Sequence, residues 1–201
     1  MFEELSSIGK YDRIEVDLLL GDKEIRFSLI QRLKKSSKPP RAILEELRVH
    51  NGNAIADVVA AYKYLHCYEI KSDRDSIERV KKQAIYYDLV FRKTTLVTTE
   101  KHAARAAKFT PEHWGIVVAR CKDGKVIFSS KRKAEMSPHF NKELALLTLW
   151  RPELAALAEP ISSSNLNKLS RKNLAELLAN NLSEIKISED ISKQLVFRSQ
   201  K

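Results

Sequence analysis

The sequence has few cysteines and no long apolar segment. Its 201 residues include two cysteines, Cys67 and Cys121, which lie in separate predicted strands and form no metal-type spacing. We therefore interpret them as reduced core thiols of a cytoplasmic protein. The longest apolar runs, residues 16–20 and 144–150, are far shorter than a helix that crosses a bilayer, so no membrane partner is expected.

Other missing features narrow the class of protein further. Met1-Phe2-Glu3-Glu4 lacks the basic start and apolar stretch of a signal peptide, and the chain has no internal repeats or low-complexity tracts. Hydrophobic residues make up 43% and charged residues 31%, which is typical of a globular protein and not of a disordered one. Acidic residues are fewer than basic ones: the chain has 26 Asp and Glu and 36 Lys and Arg, which gives a formal charge of +10. Such an excess in general favours a polyanionic partner such as nucleic acid or an anionic membrane surface, and of the two we expect nucleic acid.

The apolar patterning predicts an α/β fold with a mixed sheet of about five strands flanked by helices. A helix is predicted from Asp22 through Lys35, and the pairs Asn51-Gly52 and Asp123-Gly124 predict hairpin turns. Strands are predicted over residues 54–62, 64–71, 94–99, 114–122 and 125–131. Residues 43–49 fit either a strand or a helix-to-strand junction, and residues 1–21 fit either a strand or a helix.

From residue 141 onward the pattern is helical only. We therefore expect two parts: a core over residues 1–140 and an all-helical extension over residues 141–201, without chemistry of its own, packed on or beside that core. The two tryptophans, Trp114 and Trp150, are expected to serve core or interdomain packing. Ser170 is the predicted cap of one of the C-terminal helices.

Three charged residues on neighbouring predicted strands suggest chemistry. Glu69 and Lys71 are two apart on one strand, so their side chains point to the same face. Asp57 lies in the otherwise apolar preceding strand, twelve residues before Glu69, and a hairpin can bring the two acids together. A hard cation relieves the repulsion between two close carboxylates, and Mg²⁺ needs only one or two of them beside substrate phosphates and waters. A salt bridge at a strand end is the alternative.

Further residues could support this constellation. Glu45 and Glu46 precede Asp57 by eleven or twelve residues, and Glu46 is the better candidate for a further carboxylate. Gln83 and Tyr87 are four apart on the next predicted helix, where they could position a phosphate or brace Lys71. Alternatively, Tyr87 belongs to the apolar stripe of that helix and Gln83 is a surface residue.

The order Asp…Glu-x-Lys on consecutive strands, followed by a helix with Gln-x-x-x-Tyr, resembles the PD-(D/E)XK nuclease superfamily, in particular its RecB-like branch. The run Tyr68-Glu69-Ile70-Lys71-Ser72-Asp73-Arg74-Asp75-Ser76 is similar to a family of small bacterial proteins assigned to that superfamily. The similarity covers roughly residues 23–151. Two positions depart from the pattern: Ala56 stands where the motif's name has Pro, and Ile55 stands where the small family often has Arg.

The resemblance implies a restriction-endonuclease-like core that acts as a nuclease dependent on Mg²⁺ or Mn²⁺. It assigns Asp57, Glu69 and Lys71 to the active site, with Asp57, Glu69 and Glu46 around the metal and Gln83 and Tyr87 in support. The expected substrate is DNA, contacted through its backbone, in repair, a mobile element or phage defence.

Two other functions remain open on the same sequence. One is a non-catalytic nucleic-acid-binding module, and the other is a protein that docks a partner through its helices. Because Lys71 ends a strand, we also expect its truncation to Ala to cost little stability while it abolishes cleavage.

Overall fold

A six-stranded mixed sheet forms the centre of the molecule in the computed structural model, which describes residues 20–162 and 165–200. The strands are β1 (Ala42–Val49), β2 (Ala54–Ala61), β3 (Leu65–Lys71), β4 (Lys93–Thr99), β5 (Gly115–Lys122) and β6 (Lys125–Arg132). They lie side by side in chain order, with parallel pairing at β3–β4 and β4–β5 and antiparallel pairing elsewhere. The predicted α/β fold is confirmed, and residues 43–49, which the sequence left open, lie in β1, in addition to the five predicted strands.

Seven α-helices accompany the sheet in the described residues. They are α1 (Asp22–Lys34), α2 (Val80–Val90), α3 (Glu100–Phe109), α4 (Lys142–Leu146), α5 (Arg151–Ala158), α6 (Arg171–Asn181) and α7 (Glu184–Arg198). The helix predicted after β3 opens with a 3₁₀ turn at Ile77–Arg79 before α2 begins. Ser170 caps α6 as predicted, because its side chain accepts a hydrogen bond from the Asn173 N–H at 3.1 Å. Nearly all of the ambiguous segment 1–21 lies outside the described residues.

The second predicted hairpin turn is confirmed. Lys122 pairs with Lys125, which leaves a two-residue loop between β5 and β6. Asp123 and Gly124 in that loop both have positive φ, +49° and +70°. This is the backbone that a tight hairpin needs and that an Asp-Gly pair adopts readily.

Two apolar clusters cover the two faces of the sheet. On β3, Cys67 belongs to one cluster, whereas Tyr68 and Ile70 belong to the other. Helix α1 covers the Tyr68 face, and α2 packs on the Cys67 face together with the C-terminal helices. By strand alternation Glu69 and Lys71 point to the Cys67 face, beneath α2.

The C-terminal helices share a hydrophobic core with the sheet. Leu146, Leu178 and Leu195 are fully or almost fully buried in the same cluster as Val59 and Cys67, and α7 contacts both β2 and β3. The apolar contacts therefore cross the expected boundary at residue 140. None of the helices in residues 20–162 and 165–200 is long and apolar enough to cross a membrane.

Candidate active site

The pairing between β1 and β2 is interrupted at one position. Glu45 pairs with Val58 and Leu47 pairs with Ala56, whereas Glu46 and Asp57 lie opposite each other without joining the ladder. Ala56 packs in the cluster of the Cys67 face, but Val58 packs in the cluster of the opposite face. The regular alternation of β2 therefore breaks at Asp57, whose backbone is left out of the pairing with β1.

Asp57 is held against β3 by its carboxylate. Pairing of β2 with β3 ends at Val58 opposite Tyr68, so the next position in register places Asp57 opposite Glu69. There Asp57 Oδ2 accepts a hydrogen bond from the Ile70 N–H at 2.8 Å. The structure thus brings Asp57 to the Glu69-Ile70-Lys71 segment, as the sequence predicts.

Glu69 and Lys71 form a buried ion pair. Their side chains are only 1% and 7% exposed, and Lys71 Nζ donates to Glu69 Oε1. Gln83 Nε2 also donates to Glu69 Oε1, at 2.5 Å, and the Tyr87 hydroxyl lies beside Glu69 Oε2. Both supporting residues on α2 therefore reach this carboxylate. The structure therefore assembles Asp57, Glu69, Lys71, Gln83 and Tyr87 in one place.

The Tyr87 hydroxyl lies between two acceptors. It is 2.8 Å from Glu69 Oε2 and 2.6 Å from the Ile55 carbonyl oxygen, and its single proton can serve one of them at a time. Burial, reinforced by the nearby Cys67 and Glu69, raises the pKa of Tyr87 far above its ordinary value. Tyr87 also packs in the core, as the alternative interpretation had it, so it serves both roles.

Gln83 carries an unused polar atom. Its Oε1 is buried and has no hydrogen-bond partner, while its Nε2 binds Glu69. A buried carbonyl oxygen without a partner is unfavourable, so this atom offers an acceptor to a further donor or a cation at the site.

Asp57 titrates near neutrality. Burial raises the pKa of its carboxyl to about 7, and the negative charge of Glu69 adds to the effect. The Ile70 N–H and Lys71 oppose this rise without cancelling it. Two carboxylates in such a place favour either a shared proton or a cation, and their hard oxygens fit Mg²⁺ or Mn²⁺.

Arg26 was not predicted from the sequence; it lies on α1 and contacts the site from the other side. Its guanidinium is 3.0 Å from Asp22 Oδ1, 3.3 Å from Glu46 Oε1 and 3.5 Å from Asp57 Oδ1. These acids raise the pKa of Arg26 although burial opposes them. The only signal in the sequence was the i, i+4 spacing of Asp22 and Arg26, which many solvated helices share.

Glu46 occupies a special backbone position at the rim of the site. Its φ is +52°, in the left-handed region that residues with a Cβ rarely adopt. Its side chain is 72% exposed and paired with Arg26, which places it near Asp57 through that bridge. Within the described ranges no group of three or more His, Cys, Asp or Glu side chains is arranged to hold a metal.

The structure corrects two expectations from the sequence. Lys71 is buried and ion-paired, so its truncation would leave Glu69 without its cation and should destabilise the fold, contrary to the small cost expected. Trp114 is fully buried as expected, whereas Trp150 is 59% exposed and does not serve core packing.

Comparison with known proteins identifies the family. The family model described as bacteriophage P4 protein cII matches residues 17–201. The curated Protein cII of Enterobacteria phage P4 is 32% identical over 172 residues, which cover 85% of this chain and 65% of that protein's length. No solved structure matches the chain. With a family model that spans most of its length, the chain belongs to the bacteriophage P4 protein cII family.

Proposed function

We propose that this protein is a metal-dependent nuclease that hydrolyses the phosphodiester bonds of DNA. The convergence of Asp57 and Glu69 carries the proposal, because their proximity and burial bring the Asp57 pKa to about 7 beside the buried Lys71 ammonium. A perturbed acid, a second acid and a lysine at the end of a hairpin form the set that the PD-(D/E)XK resemblance implies.

Asp57 and Glu69 would hold Mg²⁺ or Mn²⁺, with Glu46 as the proposed further carboxylate. When bound, the metal would polarise the phosphate and lower the pKa of a bound water. The Gln83 Oε1 atom, buried without a partner, adds an oxygen beside Glu69 that suits a cation of this kind.

The chain's own residues would act on the phosphate and on each other. Lys71 carries an ammonium that stabilises the negative charge that grows on phosphate oxygens in the transition state. Glu69 fixes that ammonium through the ion pair, while Gln83 and Tyr87 fix Glu69 through hydrogen bonds to its two oxygens. The net charge of +10 favours contact with the DNA backbone around the site.

A mobile-element setting suits this activity best. The curated relative is a phage protein, and the expected contexts for such a nuclease include mobile elements and phage defence. The relative is longer than the matched segment, so activities of its other parts do not bear on this proposal.

The experiment is incubation of the purified protein with linear, circular, single-stranded and branched DNA in the presence of Mg²⁺, Mn²⁺ or EDTA. The proposal requires cleavage of at least one substrate with a divalent metal and none in EDTA. Intact substrates under every metal condition would refute it.

A second candidate is a non-catalytic nucleic-acid-binding module. Glu69 already accepts hydrogen bonds from Lys71, Gln83 and Tyr87, an arrangement that also fits a purely structural buried pair. Tight, salt-dependent DNA binding without cleavage would favour this candidate.

A further inference from the structure

A groove beside the candidate active site combines arginines with an exposed tryptophan. It has a volume of about 540 Å³ and lies between β1 and the C-terminal helices. Its lining includes Arg48, Trp150, Arg151, Arg171 and Arg198. We infer that this groove binds a single-stranded segment of DNA, with one base stacked on Trp150 and the phosphates held by the arginines.

Trp150 is arranged as a stacking platform. The Arg198 guanidinium lies 4.1 Å from the centre of the Trp150 ring and covers one side of it. Arg198 is itself fixed, since its Nε donates to Glu153 Oε1 at 2.9 Å. Even with Arg198 over the ring, 59% of Trp150 remains exposed, which leaves ring surface for a planar partner. A base stacked on an aromatic ring is the characteristic contact of proteins that bind single strands.

Two arginines are anchored without losing their charge. Arg151 donates to the Leu169 and Leu166 carbonyl oxygens at 3.2 and 2.8 Å, and Arg171 donates to the Leu149 carbonyl oxygen at 2.9 Å. Carbonyl acceptors fix a guanidinium in place but do not neutralise it. These side chains therefore present fixed positive charge to the groove, with little ordering cost when a phosphate binds.

The sum of charges along the groove is positive. The lining carries four arginines, with Arg48 exposed on β1, against the two acids Glu45 and Glu46. Glu153, which is paired with Arg198, lowers the net charge from +2 to +1. A phosphate strand compensates this excess.

The groove adjoins the candidate active site. Glu46 lines the groove and is paired with Arg26, which in turn contacts Asp57. A DNA strand in the groove would therefore lead to the proposed cleavage site. Because it takes DNA as the ligand, this inference rests on the proposed function. An unpaired strand is favoured over a duplex because Trp150 can stack only on a base that is free of its own neighbours.

The test is binding of short oligothymidylate to the full chain in EDTA, where no metal-dependent cleavage can interfere. Fluorescence anisotropy of the labelled oligonucleotide gives Kd, and protein fluorescence gives an independent signal. The variants are Trp150→Ala, Trp150→Phe and Arg48→Ala. The controls are Phe27→Ala, an exposed aromatic on α1, and Lys125→Ala, an exposed cation at the β5–β6 turn.

We expect Trp150→Ala to weaken binding by about fivefold or more and Trp150→Phe to retain most of it. Binding should quench the fluorescence of the wild type but not of Trp150→Phe, since only the buried Trp114 then remains. Arg48→Ala should reduce the salt dependence by about one phosphate contact. Both control variants should bind like the wild type.

Two results would overturn the inference: equal Kd values for Trp150→Ala and Phe27→Ala, or a duplex of the same length that binds more tightly than the single strand. These results are independent of the nuclease proposal. Loss of binding in Trp150→Ala with a wild type that never cleaves would support the groove and refute the nuclease. Cleavage by the wild type with unchanged binding in Trp150→Ala would support the nuclease and refute the groove.

Discussion

The carboxylate of Asp57 accepts the backbone N–H of Ile70 at 2.8 Å, at the point where β2 and β3 stop pairing. The Asp57 side chain here takes the place of the backbone partner that strand pairing no longer supplies to the Ile70 N–H. The contact ties the interrupted strand to the segment that carries Glu69 and Lys71. The same carboxylate is thus both a structural link and the acid with a pKa of about 7.

The first prediction concerns pH and stability. In the unfolded chain Asp57 titrates near its ordinary value of 3.8, whereas in the fold its pKa is about 7. Between these values the folded protein retains a proton that the unfolded chain has lost, so this group's contribution to stability decreases as pH rises from about 4 to 7 and is level above that. Asp57→Asn cannot ionise, so it does not lose this contribution. Its free energy of unfolding minus that of the wild type should therefore increase by up to about 4 kcal/mol as pH rises across this window.

Urea denaturation of both proteins at pH 4.5 and at pH 8 measures this difference, with Asp123→Asn at an exposed turn as the control. At pH 8, Mg²⁺ should raise the Tm of the wild type but not of Asp57→Asn, because the metal needs the ionised carboxylate. If the free energy of unfolding changes equally between pH 4.5 and pH 8 in the wild type and in Asp57→Asn, the assigned pKa is contradicted.

The second prediction concerns the ion pair of Glu69 and Lys71. Lys71→Met leaves a buried carboxylate without its cation and should destabilise the fold by about 3 kcal/mol or more. The double variant Glu69→Gln with Lys71→Met removes both charges and should recover much of that loss, since Gln83 and Tyr87 can still reach the amide. Thermal denaturation of the two single variants and the double variant measures the coupling. Additive effects would show that the pair is not coupled.

The third prediction concerns Tyr87 as a positioning residue. Tyr87→Phe keeps the ring against Trp114 and Phe91 but removes the hydroxyl beside Glu69. We expect a loss of about 1–3 kcal/mol in stability and a lower kcat, with little change in KM for DNA. Tyr86→Phe is the matched control, because that ring contacts His50 instead. A change in KM alone would place Tyr87 in substrate binding.

The fourth prediction separates the backbone of Glu46 from its carboxylate. At φ +52° glycine is favoured over alanine, so Glu46→Gly should be more stable than Glu46→Ala by about 1 kcal/mol in urea denaturation. Both variants lack the carboxylate, so both should need more Mg²⁺ for half-maximal cleavage, to the same extent. Wild-type metal dependence in both would remove Glu46 from the proposed metal set.

Local patterns predicted the elements well. Period-two alternation placed Glu69 and Lys71 on one face, and the Asp123-Gly124 pair predicted a tight turn that the positive φ angles confirm. These features depend on neighbours in sequence, where backbone preferences and side-chain alternation act directly.

Features that depend on distant packing could not be predicted in this way. Arg26 reaches Asp57 across 31 positions, and only the docking of α1 on the sheet brings them together. The burial of Lys71 depends on the helices above β3, and the exposure of Trp150 depends on where α5 begins at the surface. None of these leaves a periodic signal in the sequence.

The rate of DNA cleavage under single-turnover conditions with Mg²⁺ tests the proposed active site most directly. The comparison is between the wild type, the stability-compensated double variant Glu69→Gln with Lys71→Met, and the control Lys125→Met, an exposed lysine on β6. We expect cleavage by the wild type and the control, a rate roughly a hundredfold or more lower for the double variant, and no cleavage in EDTA. Cleavage by the folded double variant at the wild-type rate, with contaminating nuclease excluded, would contradict the proposed active site.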